Sequence, residues 1–450
     1  MQQHKSFAGI LTIVSVLALA QQPTAVRAED ISSRMDNVVQ DYVQRKIFTG
    51  SILVARDGKI LFDKSYGSAN LEWDIPNSPS TKFRIASLTK QFTAASIFLL
   101  EERGNLKLDD PVKKYVPDAP AAWDKITIYN LLTHTSGIPN SYDGITSWSQ
   151  TKTPEELLAA FRNKPLDFEP GKTRKYSNAG YYLLGYLIEK VSGQSYKKFV
   201  SENIFKPLNM KDSGYVSNSE VIRHRASGYQ MGPAGPENGR YYNETLLFSA
   251  GGLYSTTEDL LKWEQGLFGG KLLSAASLKR MTAPFKHDFA CGLVVSEIDG
   301  HTAIEHAGDM DGFTSDMVYY VDDKVAVIVL NNLSGETRSI ASKLGAVAHG
   351  EKVILVGERK EVKVPPGLLT KYVGTYGDIM PGYDVAITLE GDHLMTQISD
   401  DSKRPLFAES DTIFFDRESE GEYQFVRTES GESTSVLYTQ SGHKMKGLKK

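Results

Sequence analysis

Between residues 31 and 46, Met35, Val38, Val39, Tyr42 and Val43 recur at helical spacing, which predicts an amphipathic helix. The pattern then changes period. Two β-type runs, Ser51 to Arg56 and Lys59 to Asp63, flank Asp57-Gly58, and Asp-Gly between such runs is a strong hairpin signal because both residues tolerate positive φ. A long stretch of helical and loop character extends to about residue 285. Strand character returns at Ala303 to His306, Ser315 to Val321 and Val325 to Leu330, with a turn at Asp322-Asp323-Lys324, and Ser339 to His349 reads as a closing helix. Strands at both ends with helices between predict an α/β (α+β) fold: one antiparallel sheet flanked by helices, plus a helical subdomain.

Composition shifts at residues 357–366, where Arg359, Lys360, Glu361, Pro365 and Pro366 form a polar linker. Residues 367–450 alternate short strand runs with turns: Tyr383 to Leu389, Leu394 to Ile398, Ile413 to Phe415, Tyr423 to Arg427 and Ser435 to Tyr438. Short strands at regular spacing predict a small C-terminal β-barrel.

The chain has 450 residues, 24% of them charged and 40% hydrophobic, with a net charge of −4. That length favours more than one core. The charge balance excludes the basic excess of a nucleic-acid binder. At the N-terminus, Lys5 precedes an apolar run from Phe7 to Ala20, and Val26-Arg27-Ala28 offers small residues at a cleavage site. Residues 1–28 therefore read as a secretory signal peptide, too short to span a membrane comfortably. The mature protein is expected to be exported, periplasmic or secreted, without a stable membrane anchor. Cys291 is the only cysteine, which excludes an internal disulfide and a cysteine metal cage. Its apolar setting predicts a buried packing thiol. The histidines form no cluster with metal-ligand spacing, so neither metal nor cofactor is expected.

Candidate chemistry begins at Ser87-Leu88-Thr89-Lys90. Ser-x-x-Lys recurs at Ser149/Lys152, Ser195/Lys198 and Ser441/Lys444, so spacing alone carries little. Only Ser87 opens an apolar run, Phe92 to Leu100, with Leu88, Phe92, Ala95 and Leu99 on one stripe. On a helix, positions i and i+3 share a face, which sets Lys90 beside the Ser87 hydroxyl. A neighbouring base turns a serine into a nucleophile; the plainer alternative is that Ser87 only caps the helix. Tyr176-Ser177-Asn178 follows a Pro-Gly turn and precedes an amphipathic run from Gly180 to Val191. A tyrosine whose proton is drawn by a nearby cation can share proton transfer. His306-Ala307-Gly308 ends a strand run, and its small residues leave the strand edge open to an extended substrate. Trp123, Tyr142 and Trp148 are either cleft walls or packing aromatics.

In this order, the three motifs resemble the serine β-lactamase and penicillin-binding superfamily, specifically its class C β-lactamase and DD-peptidase branch. Leu131 to Pro139, Ser249 to Leu253 and Gly312-Phe313 are similar to that branch as well. The resemblance covers roughly residues 31 to 350. It implies a hydrolase domain over residues 29–356, and some members of the wider family carry an appended lipocalin-like barrel. It implies further that Ser87 is acylated, that Lys90 and Tyr176 share the proton transfers, and that Asn178, His306 and Gly308 orient substrate. The backbone N–H groups of Ser87 and Asp309 would form the oxyanion hole.

Two positions depart from the family pattern. The third motif is His-Ala-Gly where β-lactamases usually have Lys-Thr-Gly, and imidazole is only partly cationic at neutral pH. Asp309 stands where carboxylate-binding members commonly have a small uncharged residue. A carboxylate there would repel the free carboxylate of a penicillin or a D-Ala-D-Ala terminus. The expected substrate is therefore a small molecule or peptide, as an amide or ester. A true β-lactamase, a DD-carboxypeptidase and a non-catalytic binding protein stand as alternatives. The barrel could gate the cleft, mediate oligomers or bind a partner.

Overall fold

The structure is a computed structural model and describes residues 28–140, 145–286, 288–380, 383–399, 402–429 and 431–450. Residues 1–27 of the expected signal peptide, and Tyr142, lie outside the described residues. An opening helix, α1 (Ala28–Gln44), leads into β1 (Gly50–Arg56) and β2 (Lys59–Tyr66). Asp57 and Gly58 join these strands at φ 47° and 76°, so both turn residues adopt the positive φ that this hairpin demands.

The helical part contributes three elements to the site: α2 (Thr89–Glu102), α3 (Asn178–Ser192) and α4 (Glu244–Gly251). The chain then returns to the sheet as β3 (Val294–Ile298), β4 (His301–Met310), β5 (Phe313–Tyr320) and β6 (Val325–Asn331), and closes with α5 (Arg338–His349). The sheet runs β3-β4-β5-β6-β1-β2 and is antiparallel throughout.

Alternation along the central strands splits the domain into two cores. Val325, Val327 and Val329 of β6, with Ile52 and Val54 of β1, pack against Met35, Val38, Val39 and Tyr42 of α1 and Ile340, Leu344 and Val347 of α5. Ala326, Ile328, Leu330, Leu53 and Ala55 face the helical side, where Leu88, Phe92 and Leu183 also lie. Both faces are covered, so these strands read as continuous apolar runs rather than as alternating ones.

Strand β3 is short. It pairs with His301 to Glu305 of β4 and stops there, leaving His306 to Met310 without a strand partner on that edge among the described residues.

The tail is a closed eight-stranded antiparallel barrel spanning Gly374–Lys449. Besides the five runs legible in the sequence it includes Gly374–Met380, Arg404–Ala408 and His443–Lys449. It seats on the face carrying α1 and α5. Glu420 accepts from Tyr42 Oη at 2.7 Å and pairs with Arg45 and Lys343. Ser441 and Ser339 hydroxyls meet at 3.0 Å, and the Asp299 N–H donates to Gly442 O. These contacts place the barrel against the sheet face opposite α2. That seating does not match the gating role entertained above, because the contacts lie on the other side of the sheet.

Candidate active site

Ser87 lies on a single 3-10 turn, Ala86–Leu88, that runs directly into α2. Ala86 is held at φ 44°, a conformation that costs a non-glycine residue energy and recurs at functional sites. Helix α2 is capped by Leu88 without a side-chain hydrogen bond. The capping alternative for Ser87 therefore fails. Its hydroxyl has other partners: Lys90 Nζ at 2.9 Å and Tyr176 Oη at 2.8 Å.

Lys90 is fully buried, at 0% exposure, in a helix whose residues from Thr89 to Leu100 are all buried. Its second partner is the carbonyl of Ala250, at 2.8 Å. That carbonyl is available because it lies in the last turn of α4, which ends at Gly251 just after a break at Phe248 with φ 34° and ψ −133°. The same turn offers Ser249 O to Thr93 Oγ1 at 2.7 Å. The Lys90 ammonium also lies 4.8 Å from the Tyr176 ring centre. Among the described residues no carboxylate pairs with it, and burial pushes its pKa well below the usual lysine range. A neutral amine is the form this setting favours.

Tyr176 precedes α3, whose first residue is Asn178. Two residues hold the Tyr176 segment in place. His134 accepts the Ser177 N–H on Nδ1 at 3.1 Å, its main-chain carbonyl accepts the Lys175 N–H at 3.0 Å, and its ring stacks on Tyr176 at 4.6 Å. Asn140 donates to Tyr176 O at 3.0 Å and accepts the Ala179 N–H at 3.2 Å. His134 is itself at φ 58°. Burial pushes its pKa well below the ordinary histidine value. Neither residue was singled out in the sequence. His134 lies inside the Leu131 to Pro139 segment, and its role depends on backbone partners that leave no residue signature.

The third motif is brought to the same place, and its parts separate. Gly308 runs against the Ser87 turn: a Cβ there would sit 2.3 Å from Ile85 O, 2.4 Å from Ser315 Oγ and 3.1 Å from the Ser87 nitrogen. Only glycine permits that approach. His306 is buried, with its ring 6.4 Å from that of Tyr176. Burial, then Lys90, push its pKa down to about 3, so it is neutral. Asp309 is exposed and lines a cleft with Ser87, Asn178, Tyr182, Leu247 and Met310. The surrounding protein, and then Asp311, raise its carboxyl above the ordinary aspartate value.

The remaining sequence candidates fall away from the chemistry. Trp123 is buried and stacks on Phe161, and Trp148 packs against Tyr242. Cys291 is a buried thiol whose pKa burial pushes up to about 12.

Comparison with known proteins shows the family and the fold. Residues 35–351 match the family model described as Beta-lactamase, and residues 358–448 match one described as a domain of unknown function. Penicillin-binding protein 4* of Bacillus subtilis (strain 168) is 30% identical over 426 residues, covering 87% of this chain and 93% of its own. The octameric penicillin-binding protein homologue from Pyrococcus abyssi superposes with a TM-score of 0.67 at 26% identity, covering 93% of this chain and all of its own. D-amino acid amidase from Ochrobactrum anthropi SV3 superposes at 0.64 with 24% identity, over 71% of this chain and 99% of its own. The chain belongs to the beta-lactamase family and is a serine hydrolase of that kind, carrying a closed eight-stranded barrel behind its hydrolase domain.

Proposed function

We propose that Ser87 is the acylated nucleophile of an exported amidase or peptidase whose substrates lack a free carboxylate beside the scissile bond. One observation carries the proposal: the Ser87 hydroxyl is held by both Lys90 Nζ and Tyr176 Oη in a cleft that Asp309 also lines.

The chemistry follows from that arrangement. Neutral Lys90 keeps a lone pair while donating to Ala250 O, so it takes the Ser87 proton as Oγ bonds to the substrate carbonyl carbon. The developing oxyanion faces the N–H groups of Ser87 and Asp309, which act as fixed donors. The approach of Gly308 to the Ser87 nitrogen and the unpartnered edge of β4 support this placement. Tyr176, hydrogen-bonded to the same oxygen, passes its proton to the leaving amine as the C–N bond breaks and recovers one from Lys90, which returns to the neutral amine. Water then adds to the acyl-Ser87 ester and releases the acid, returning the proton to Ser87. Asn178 lines the cleft and orients the acyl group. His306, buried and neutral, backs Tyr176.

Substrate class rests on charge. Where β-lactamases usually place a lysine, this site has an uncharged imidazole, and Asp309 adds a carboxylate. A penicillin or D-Ala-D-Ala carboxylate would be repelled by Asp309 there, whereas a substrate ammonium would pair with it. The test is a panel of benzylpenicillin, a D-Ala-D-Ala peptide, D-amino-acid amides and p-nitrophenyl esters, together with a fluorophosphonate that labels Ser87. Amides or esters cleaved with Ser87 labelled supports the proposal. Much faster cleavage of penicillin or the D-Ala-D-Ala peptide overturns the substrate class. Folded protein that is never labelled indicates a binding protein. Export rests on the N-terminal residues alone, and a mature N-terminus at Glu29 in protein recovered from outside the cytoplasm is the expected result.

A further inference from the structure

A second, larger cavity of about 390 Å³ adjoins the catalytic cleft, walled by Arg84, Arg225, Arg240, Asn238 and Phe313. The turn of the β4–β5 hairpin separates the two: Asp309 and Met310 face the Ser87 cleft, and Asp311 and Phe313 face the second cavity. Arg84 precedes Ser87 by three residues, so their Cα atoms lie within about 10 Å, the reach of three extended residues.

This cavity has a built floor. Gly228, Gly239 and Gly312 meet backbone to backbone. A Cβ on Gly228 would sit 2.9 Å from Gly312 O, and one on Gly239 would sit 2.8 Å from Gly312 Cα. The segment that carries Arg225 and Arg240 is thereby pinned to the hairpin turn beside the catalytic strand.

Charge is what the cavity leaves unresolved. Arg240 pairs with Asp311 at 3.1 Å. Arg84 and Arg225 have only neutral partners, Asn218 Oδ1 at 3.4 Å and Ser217 O at 2.8 Å. Among the described residues neither has a carboxylate at ion-pair distance. Arg84 is only partly exposed, and burial together with the neighbouring Arg225 charge lowers its pKa. Asp311, the carboxylate that lines the same cavity, is taken by Arg240, and the two guanidinium groups left beside that pair repel each other. Guanidinium pairs are well suited to a carboxylate, which they bind in a planar, bidentate fashion.

We propose that Arg84 and Arg225 form a subsite for an acidic group of the substrate, one or two residues from the bond that Ser87 attacks. The inference rests on the reading of Ser87 as the acylated nucleophile and adds the substrate class: a peptide amide uncharged or cationic at the scissile bond and acidic farther out. Asp309 excludes a carboxylate next to the bond, and the arginine pair collects one beyond it.

The experiment measures protection of Ser87 against an uncharged fluorophosphonate, followed as the mass gain on its peptide. The competitors are X-D-Ala-D-Ala amides and D-Ala-D-Ala-X amides with X as Glu, Gln or Lys, so that both sides of the bond are probed and only one charge changes. In one of the two frames the Glu peptide protects at a concentration at least tenfold lower than the Gln peptide, and the Lys peptide is weakest. Arg225→Glu, at an exposed position, reverses the order of Glu and Lys. In wild-type protein 0.5 M salt removes most of the preference, which keeps the proposal testable if the variant misfolds. Equal protection by Glu, Gln and Lys in both frames overturns the subsite while leaving Ser87 labelled and its role intact. A Ser87 that takes no label without competitor overturns the reading beneath it.

Discussion

Lys90 concentrates the chemistry because it is buried without a counter-charge. An ammonium in that position is costly, so the protein favours the amine and gains a base beside Ser87. Replacing it with arginine restores a permanent cation that cannot give up its proton. Lys90→Arg is expected to lower kcat/KM by ~10³-fold or more, within the range of a lost general base. In the wild type, kcat/KM should rise with pH as Lys90 loses its proton, and this limb should be absent from the residual activity of the variant. Gly308 makes a steric rather than an electrostatic demand. Gly308→Ala places a Cβ against Ile85 O and the Ser87 nitrogen, forcing strand and nucleophile apart. Calorimetry should show a loss of about 1–3 kcal/mol, and Ser87 labelling should slow even where the protein remains folded.

Elements reach the site through their ends and breaks rather than their regular parts. The last turn of α4 presents two carbonyls, the end of β3 opens the edge of β4, and the start of α3 carries Asn178. The segment between Gly171 and α3 is not regular at all, and His134 and Asn140 do for it what a helix or ladder would do. His134→Ala removes the acceptor of a buried N–H and the surface under Tyr176. The expected loss is about 1–3 kcal/mol of stability, with kcat reduced and KM little changed in steady-state kinetics. His134→Asn keeps an acceptor and a side chain tolerant of positive φ, and should recover part of the stability. Legibility in the sequence follows the same division. The Ser87–Lys90 pair was readable because i and i+3 on a helix are neighbours, and the hairpin at Asp57-Gly58 because its turn requires those residues. Ala250 O, His134 and Asn140 were not readable, since their work is done by or on the backbone. In the barrel, Gly374–Met380 and His443–Lys449 carry too few apolar residues to read as strands. They are held by neighbours on both sides of a closed sheet, which a local pattern does not record.

At the scale of the whole molecule, Glu420 joins barrel to hydrolase domain. Burial would raise its pKa, but Lys343, Tyr42 and Arg45 outweigh burial and hold it below the ordinary glutamate value. A depressed folded pKa stabilises above the unfolded value, about 4.3, and that contribution disappears as pH falls through the folded value. Docking of the barrel should thus be firm at neutral pH and weaken below about pH 4. Glu420→Gln should remove the pH dependence and cost roughly 1–3 kcal/mol, since Lys343 and Arg45 are only partly shielded from solvent. Hydrogen exchange at α1, α5 and the barrel strands, compared at pH 7 and pH 3.5, provides the check. The central sheet sets a schedule for how the molecule forms. Gly50 of β1 pairs with Asn331 of β6, so nearly the whole hydrolase domain must be synthesised before its middle strands can meet. At ~5–20 residues per second, some 15–60 s separate the two strands. During that time the apolar runs of β1 and β2 have no sheet to join, and such long-range pairing folds slowly even once the chain is complete. A chain halted before residue 331 should therefore be retained by a holding chaperone in a pull-down, and the finished, folded chain should not.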